Sequence, residues 1–167
     1  LYAWTILQMH YADMSVREKL TLFWHNHFVT TSIVPHREYI YHMLLRSHSL
    51  GNVRQLTKDI TTDTSMLMYL SGAENTSTAP NENYSRELLE LFTVGKGPLI
   101  GPGDYSNYTE RDVIEMAKVL TGWKVPRVSN PDTLTASFDS RLHSAGNKQL
   151  SKHFGDAVIV ENGEDEY

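Results

Sequence analysis

Two short stretches place hydrogen-bonding side chains on helix faces that are otherwise apolar. They are Phe23-Trp24-His25-Asn26-His27-Phe28 and Asn81-Glu82-Asn83-Tyr84-Ser85-Arg86-Glu87-Leu88-Leu89-Glu90-Leu91-Phe92. A fold that buries these faces must also pair their polar groups, because an unpaired polar side chain taken out of water destabilises the chain. The two motifs therefore predict a helical core with one shared polar site.

Helical periodicity runs through the first three quarters of the chain. A first segment spans about Trp4 to Ala12, and Ser15 with Glu18 reads as a capping box opening a helix to about Phe28. Thr30 to Pro35 is a connection, and a third helix over His36 to His48 is stopped by Gly51. Asn52 caps a segment to about Thr61, and Thr64 or Ser65 starts a short apolar one through Leu70. A polar loop, Gly72 to Pro80, leads to Asn81, which caps a helix from Glu82 to Val94. Gly95 to Asn107 carries four glycines and two prolines and is expected to be a surface loop without regular structure, anchored by Tyr105 and Tyr108. Thr109 and Asp112 open the last helix, and Gly122 closes it, with Trp123 making the apolar contact of a Schellman-type end. Beyond Lys124 the pattern fades into a hairpin or irregular tail. The expected class is mainly α: a single multi-helix, orthogonal or bundle-like domain over residues 1–167 with an irregular or short β C-terminal tail.

Composition narrows the functions. With 15 Lys and Arg against 20 Asp and Glu the formal charge is −5, and no basic block or aromatic-basic stripe occurs. Nucleic acid and anionic membrane surfaces are thus disfavoured as partners. The absence of cysteine removes disulfides, thiolate metal sites and Cys nucleophiles. No apolar run approaches the ~20 residues of a membrane-spanning helix. The opening on Leu1 within a helical pattern and the acidic stretch Glu161 to Tyr167 read as cut ends, which points to a piece of a longer protein.

On a helical wheel Val16, Leu20, Phe23, Trp24 and Phe28 share an arc, and His27 lies in its middle while His25 faces elsewhere. His27 is therefore expected to be buried within reach of Glu87 or Asn83. Either it is a core histidine satisfied by a carboxylate or carbonyl, or it is a ligand or general base. In the second motif Asn83, Glu87, Glu90 and Val94 share a face beside the apolar arc of Tyr84, Leu88, Leu91 and Phe92. Glu87 and Glu90, one turn apart, could hold one cation or raise one another's pKa. They could equally be a solvated face with Arg86 paired to Glu90. No Glu-x-x-His, His-Glu-x-x-His, Gly-x-Ser-x-Gly or phosphate-loop pattern is present.

Together with Tyr108-Thr109-Glu110-Arg111-Asp112-Val113 and Leu120-Thr121-Gly122-Trp123, the two motifs resemble the bacterial family catalogued as domain of unknown function eighteen-hundred. The likeness runs from the Ser15-Val16-Arg17-Glu18-Lys19 run through Phe138, His143 and Lys148, and the insert Lys96 to Tyr105 is similar to that of Bacteroidetes-type members. The resemblance implies a mostly helical domain of a longer exported protein, periplasmic or at the cell surface, encoded beside a sulfatase- or phosphatase-like partner. It implies no activity. Two positions depart from the family's pattern: His143-Ser144 stands where His-Asp is usual, and Tyr69-Leu70-Ser71 where Tyr-Leu-Asp is usual.

Two functions compete. One is a non-catalytic helical module that acts with an exported partner. The other is a metal- or acid/base-dependent hydrolase of glycans or esters. It would be built on His27 and Glu87, which could hold a divalent cation, with Glu90, His25, Asn26, Asn83, Arg86 and His143 as neighbours.

Overall fold

The computed structural model describes residues 2–12, 15–32, 34–126 and 134–166. Ile33 of the expected connection, and Val128 and Thr133 of the expected tail, lie outside them. Helices dominate the described residues: α1 (Tyr2–Tyr11), α2 (Arg17–His27), α3 (Pro35–Ser47), α4 (Val53–Thr61), α5 (Thr64–Tyr69), α6 (Glu82–Glu87) and α7 (Glu110–Val119). Three two-stranded antiparallel ladders follow: β1 (Leu99–Gly101) with β2 (Asp104–Tyr105), β3 (Trp123–Lys124) with β4 (Ser137–Phe138), and β5 (Lys148–Gln149) with β6 (Val158–Ile159). The chain is mainly α, as its periodicity requires.

Local chemistry explains most helix starts. Asn52 Oδ1 accepts from the Gln55 amide, Asp63 Oδ1 from Ser65, and Asn81 Oδ1 from Asn83. Thr109 and Asp112 form a complete capping box, with the Thr109 amide 2.7 Å from Asp112 Oδ2. At α2 the expected box is incomplete. Ser15 Oγ accepts from the Arg17 amide, but Glu18 turns inward, is buried, and takes the Arg46 Nε of α3 at 2.7 Å. A charged partner 28 residues away outcompetes the local amide.

The main core gathers Phe28, Tyr41, Leu45, Leu56, Ile60, Met66, Leu67, Tyr84, Leu88, Phe92, Leu120 and Trp123. Its two buried phenols close helix ends. Tyr41 Oη donates to the Phe28 carbonyl at 2.6 Å, and Tyr84 Oη donates to that of Thr61 at 3.1 Å. Gly72 is required by close approach, since a Cβ there would stand 2.8 Å from Leu67 and 2.9 Å from Tyr84. A smaller cluster of Leu89, Tyr108 and Val113 lies under the insert.

Three further expectations change. The Gly95 to Asn107 insert is not irregular throughout: Leu99 pairs with Tyr105 and Gly101 with Asp104. Gly101-Pro102-Gly103-Asp104 has the residues of a type II turn, with Gly103 at φ +68°, so the glycines and proline that oppose a long strand make the reversal itself. Tyr108 is fully buried and does anchor the insert. The helix from Glu82 does not continue as α to Val94. It widens into a π turn over Leu88–Thr93, where the Val94 amide bonds the Leu89 carbonyl five residues back and Thr93 Oγ1 takes that of Leu88 at 2.6 Å. Past α7, Gly122 has φ +94° and gives its amide to the Asn75 carbonyl rather than back into the helix, so the end is not a Schellman closure.

Candidate functional site

The two polar motifs meet at their C-terminal ends. Phe28 and Phe92 rings lie 5.3 Å apart, Trp24 stacks on Phe28 at 6.0 Å, and Leu88 joins the same cluster, with Trp24 only half-buried. Along their lengths the helices go separate ways: α2 packs chiefly on α3, and α6 on α7. Between the two ends opens a cleft of about 520 Å³ lined by Asn26, His27, Val29, Tyr69, Leu70, Glu87, Leu91 and Phe92.

His27 is exposed, not buried as the wheel predicted. The face of α2 turned inward carries Glu18, Thr21 and Phe28, because α3 offers Arg46 and Tyr41 there, while Val16 and Phe23 of the apolar arc are solvent-facing. The His27 partner is neither Glu87 nor Asn83. Its Nε2 stands 3.1 Å from the Phe92 carbonyl, one of the orphan acceptors at the end of the π turn. A carbonyl only accepts, so Nε2 carries a proton, and in the Nε2–H tautomer Nδ1 is left as an acceptor. Glu87 is half-buried in the cleft wall, and among the described residues its carboxylate takes part in no hydrogen bond or ion pair. The expected convergence thus takes the form of a shared open cleft, with the two side chains unlinked.

The other candidates are dispersed. Asn83 Nδ2 donates to the Leu70 carbonyl, and Asn81 Nδ2 to that of Ser71, so the pair closes the end of α5 where Ser71 sits at φ +57°. Glu90 points away from Glu87, accepting from Lys96 Nζ and from Tyr108 Oη, both at 2.9 Å. The Lys96 bond, with help from Tyr108, holds its carboxyl below the usual range. Arg86 pairs with neither Glu87 nor Glu90. It grips Glu110 with two 2.7 Å bonds and reaches Glu82 at 3.1 Å, which raises its own pKa and depresses that of Glu110. The π turn also sends Leu91 outward and Leu89 inward, reversing what an α-helical wheel assigns. His25 faces α3, its ring 6.2 Å from that of His42, and desolvation lowers the pKa of both.

His143 belongs to a separate buried cluster. Its Nδ1 is 2.9 Å from the Thr121 carbonyl, and its Nε2 is 3.1 Å from Lys148 Nζ. That ammonium lies 2.8 and 2.7 Å from the two oxygens of Glu166. Neither Lys148 nor Glu166 was a sequence-level site candidate, and no local pattern marks them, because Glu166 arrives from the C-terminal tail. Asp112 is likewise fully buried. Desolvation alone would raise its pKa, but bonds from Ser151 and Thr109 outweigh that and lower it.

A mainly helical chain with an open, largely apolar cleft that holds a few polar groups is what the geometry defines. The chain belongs to the family described as Protein of unknown function (DUF1800), which it matches over residues 1–167. No curated protein and no solved structure matches it. Among the described residues no helix is long and apolar enough to cross a membrane.

Proposed function

We propose that this chain is a non-catalytic helical module that docks a partner protein through the cleft between α2 and the π turn. The observation that carries this reading is the condition of the polar groups. His27 is spent on a main-chain carbonyl, Glu90 and Arg86 are held in ion pairs elsewhere, and Glu87 is left as a lone carboxylate in an apolar wall. A His/Glu hydrolase needs three ligands around an open position, or a base in contact with what it activates. Among the described residues no three His, Cys, Asp or Glu side chains are grouped to hold a metal ion.

The rim fits docking. Val29, Tyr69 and Leu91 line the cleft yet are 43, 42 and 59% exposed, and Phe23, one helical turn before His27, is 56% exposed. Contiguous apolar surface beside a few polar groups is the pattern of a protein interaction site. In this reading the seven helices pack as one orthogonal, bundle-like domain of an exported protein, periplasmic or at the cell surface. The partner is then the sulfatase- or phosphatase-like protein that the family resemblance implies.

The test is binding of that purified partner to immobilised protein by interferometry. Leu91→Asp and Val29→Asp should each weaken binding about tenfold or more, as charge placed in an interface centre does, with melting temperature unchanged. Unchanged affinity in both variants would overturn the docking reading. A stoichiometric cation in elemental analysis of the intact protein, lost in both His27→Ala and Glu87→Ala, would restore the hydrolase.

A further inference from the structure

Resting on the docking reading, we infer that the cleft receives an arginine side chain of the partner, with Glu87 as the residue that selects it. The ionisable groups beside Glu87 on the same helix are satisfied: Arg86 by Glu110 and Glu82, Glu90 by Lys96 and Tyr108. Among the described residues Glu87 alone of these has no partner, and it stands half-buried in the cleft wall with Leu70, Leu91 and Phe92, open to a cation that enters the cleft. The other polar groups of the cleft, Asn26, His27 and the Tyr69 hydroxyl, can each accept as well. Because His27 Nε2–H is committed to the Phe92 carbonyl, Nδ1 is the ring nitrogen left for a ligand, an acceptor in the Nε2–H tautomer.

A cleft furnished with a carboxylate and a second acceptor matches a ligand that carries donors and positive charge. Guanidinium has five N–H donors in one plane, is more weakly hydrated than ammonium, and lies readily on aromatic faces such as Tyr69 and Phe92 at the wall. The apolar rim of Val29 and Leu91 then covers the neighbours of that arginine, which calls for leucine-like residues beside it.

The probe is a pair of acetylated, amidated peptides, Gly-Leu-Arg-Leu-Gly and its citrulline analogue, which keeps the shape and loses the charge. Binding is followed by calorimetric titration into the wild type, Glu87→Gln and Leu91→Asp. The arginine peptide should bind the wild type about tenfold or more tightly than the citrulline peptide, and Glu87→Gln should erase that ratio with its melting temperature unchanged. Equal binding of the two peptides, lost in Leu91→Asp, would overturn the arginine inference while leaving the docking reading in place. Failure of both peptides to saturate would also overturn it. The docking reading is judged separately, on the intact partner.

Discussion

Replacing Lys148 by Met tests a fully buried ion pair. Lys148 is 1% exposed, and the Glu166 side chain that it holds at 2.7 to 2.8 Å is 0% exposed. Methionine fills the space of the lysine stem but removes the cation. Glu166 would keep only the Asn162 amide at 3.1 Å and the His143 ring at 3.2 Å. Breaking a buried pair from one side typically costs ~3–5 kcal/mol, because a desolvated charge is left behind. Set against a total stability of ~5–15 kcal/mol, that loss is visible as a large shift of the urea midpoint. The double variant Lys148→Met/Glu166→Met removes both charges, so it should cost clearly less than the two single variants added together. Acid sharpens the test. Burial by itself would raise the Glu166 pKa, but bonds from Lys148, Asn162 and His143 outweigh it and lower the value. The wild type therefore gains stability from Glu166 above the unfolded carboxylate pKa and loses it as pH falls through the lower folded value. In Lys148→Met burial is no longer offset, the folded pKa rises, and acidification should relieve part of the defect. A loss under ~1 kcal/mol, or a double variant as unstable as the sum of the singles, would refute the argument.

Asp63 shows the opposite sign: burial pushes its carboxyl up to about 6 from 3.8, so its contribution is best below the unfolded value and is lost as pH rises towards 6. Asp63→Asn, which keeps an oxygen to cap α5, should be ~1–3 kcal/mol more stable than the wild type at pH 7 and should flatten thermal stability between pH 4 and 6. His27→Ala removes one partly exposed hydrogen bond and should cost only ~0.5–1.5 kcal/mol by urea melting; a loss above ~3 kcal/mol would mean that the side chain is buried after all. Gly122→Ala should lose ~1–3 kcal/mol by the same measurement, because φ is +94° and a Cβ would stand 3.0 Å from the Asp139 carbonyl; wild-type stability would show that the backbone relaxes there.

The sequence by itself determined what depends on neighbours a few residues away. Asn52, Asn81 and the Thr109–Asp112 pair start helices because a short side chain reaches an amide two or three residues on, whatever the rest of the chain does. It also determined the mainly helical class, the burial of Tyr84, Leu88 and Phe92, and the meeting of the two motifs, through the spacing of apolar residues. Tertiary structure decided which face of α2 turns inward. A wheel ranks faces by hydropathy, whereas Glu18 goes inside to meet Arg46 of α3, and Thr21 goes inside with its hydroxyl donating to the Arg17 carbonyl one turn back. It decided the fate of His27 in the same way, since the orphan Phe92 carbonyl exists only because the π turn ends beside α2. The π turn shifts Leu89 and Leu91 across the helix, separates Glu90 from Glu87, and so splits a carboxylate pair that α-helical spacing keeps together. Lys148 and Glu166 form their pair across 18 residues of turns and short strands, a distance over which local pattern carries no information about partners.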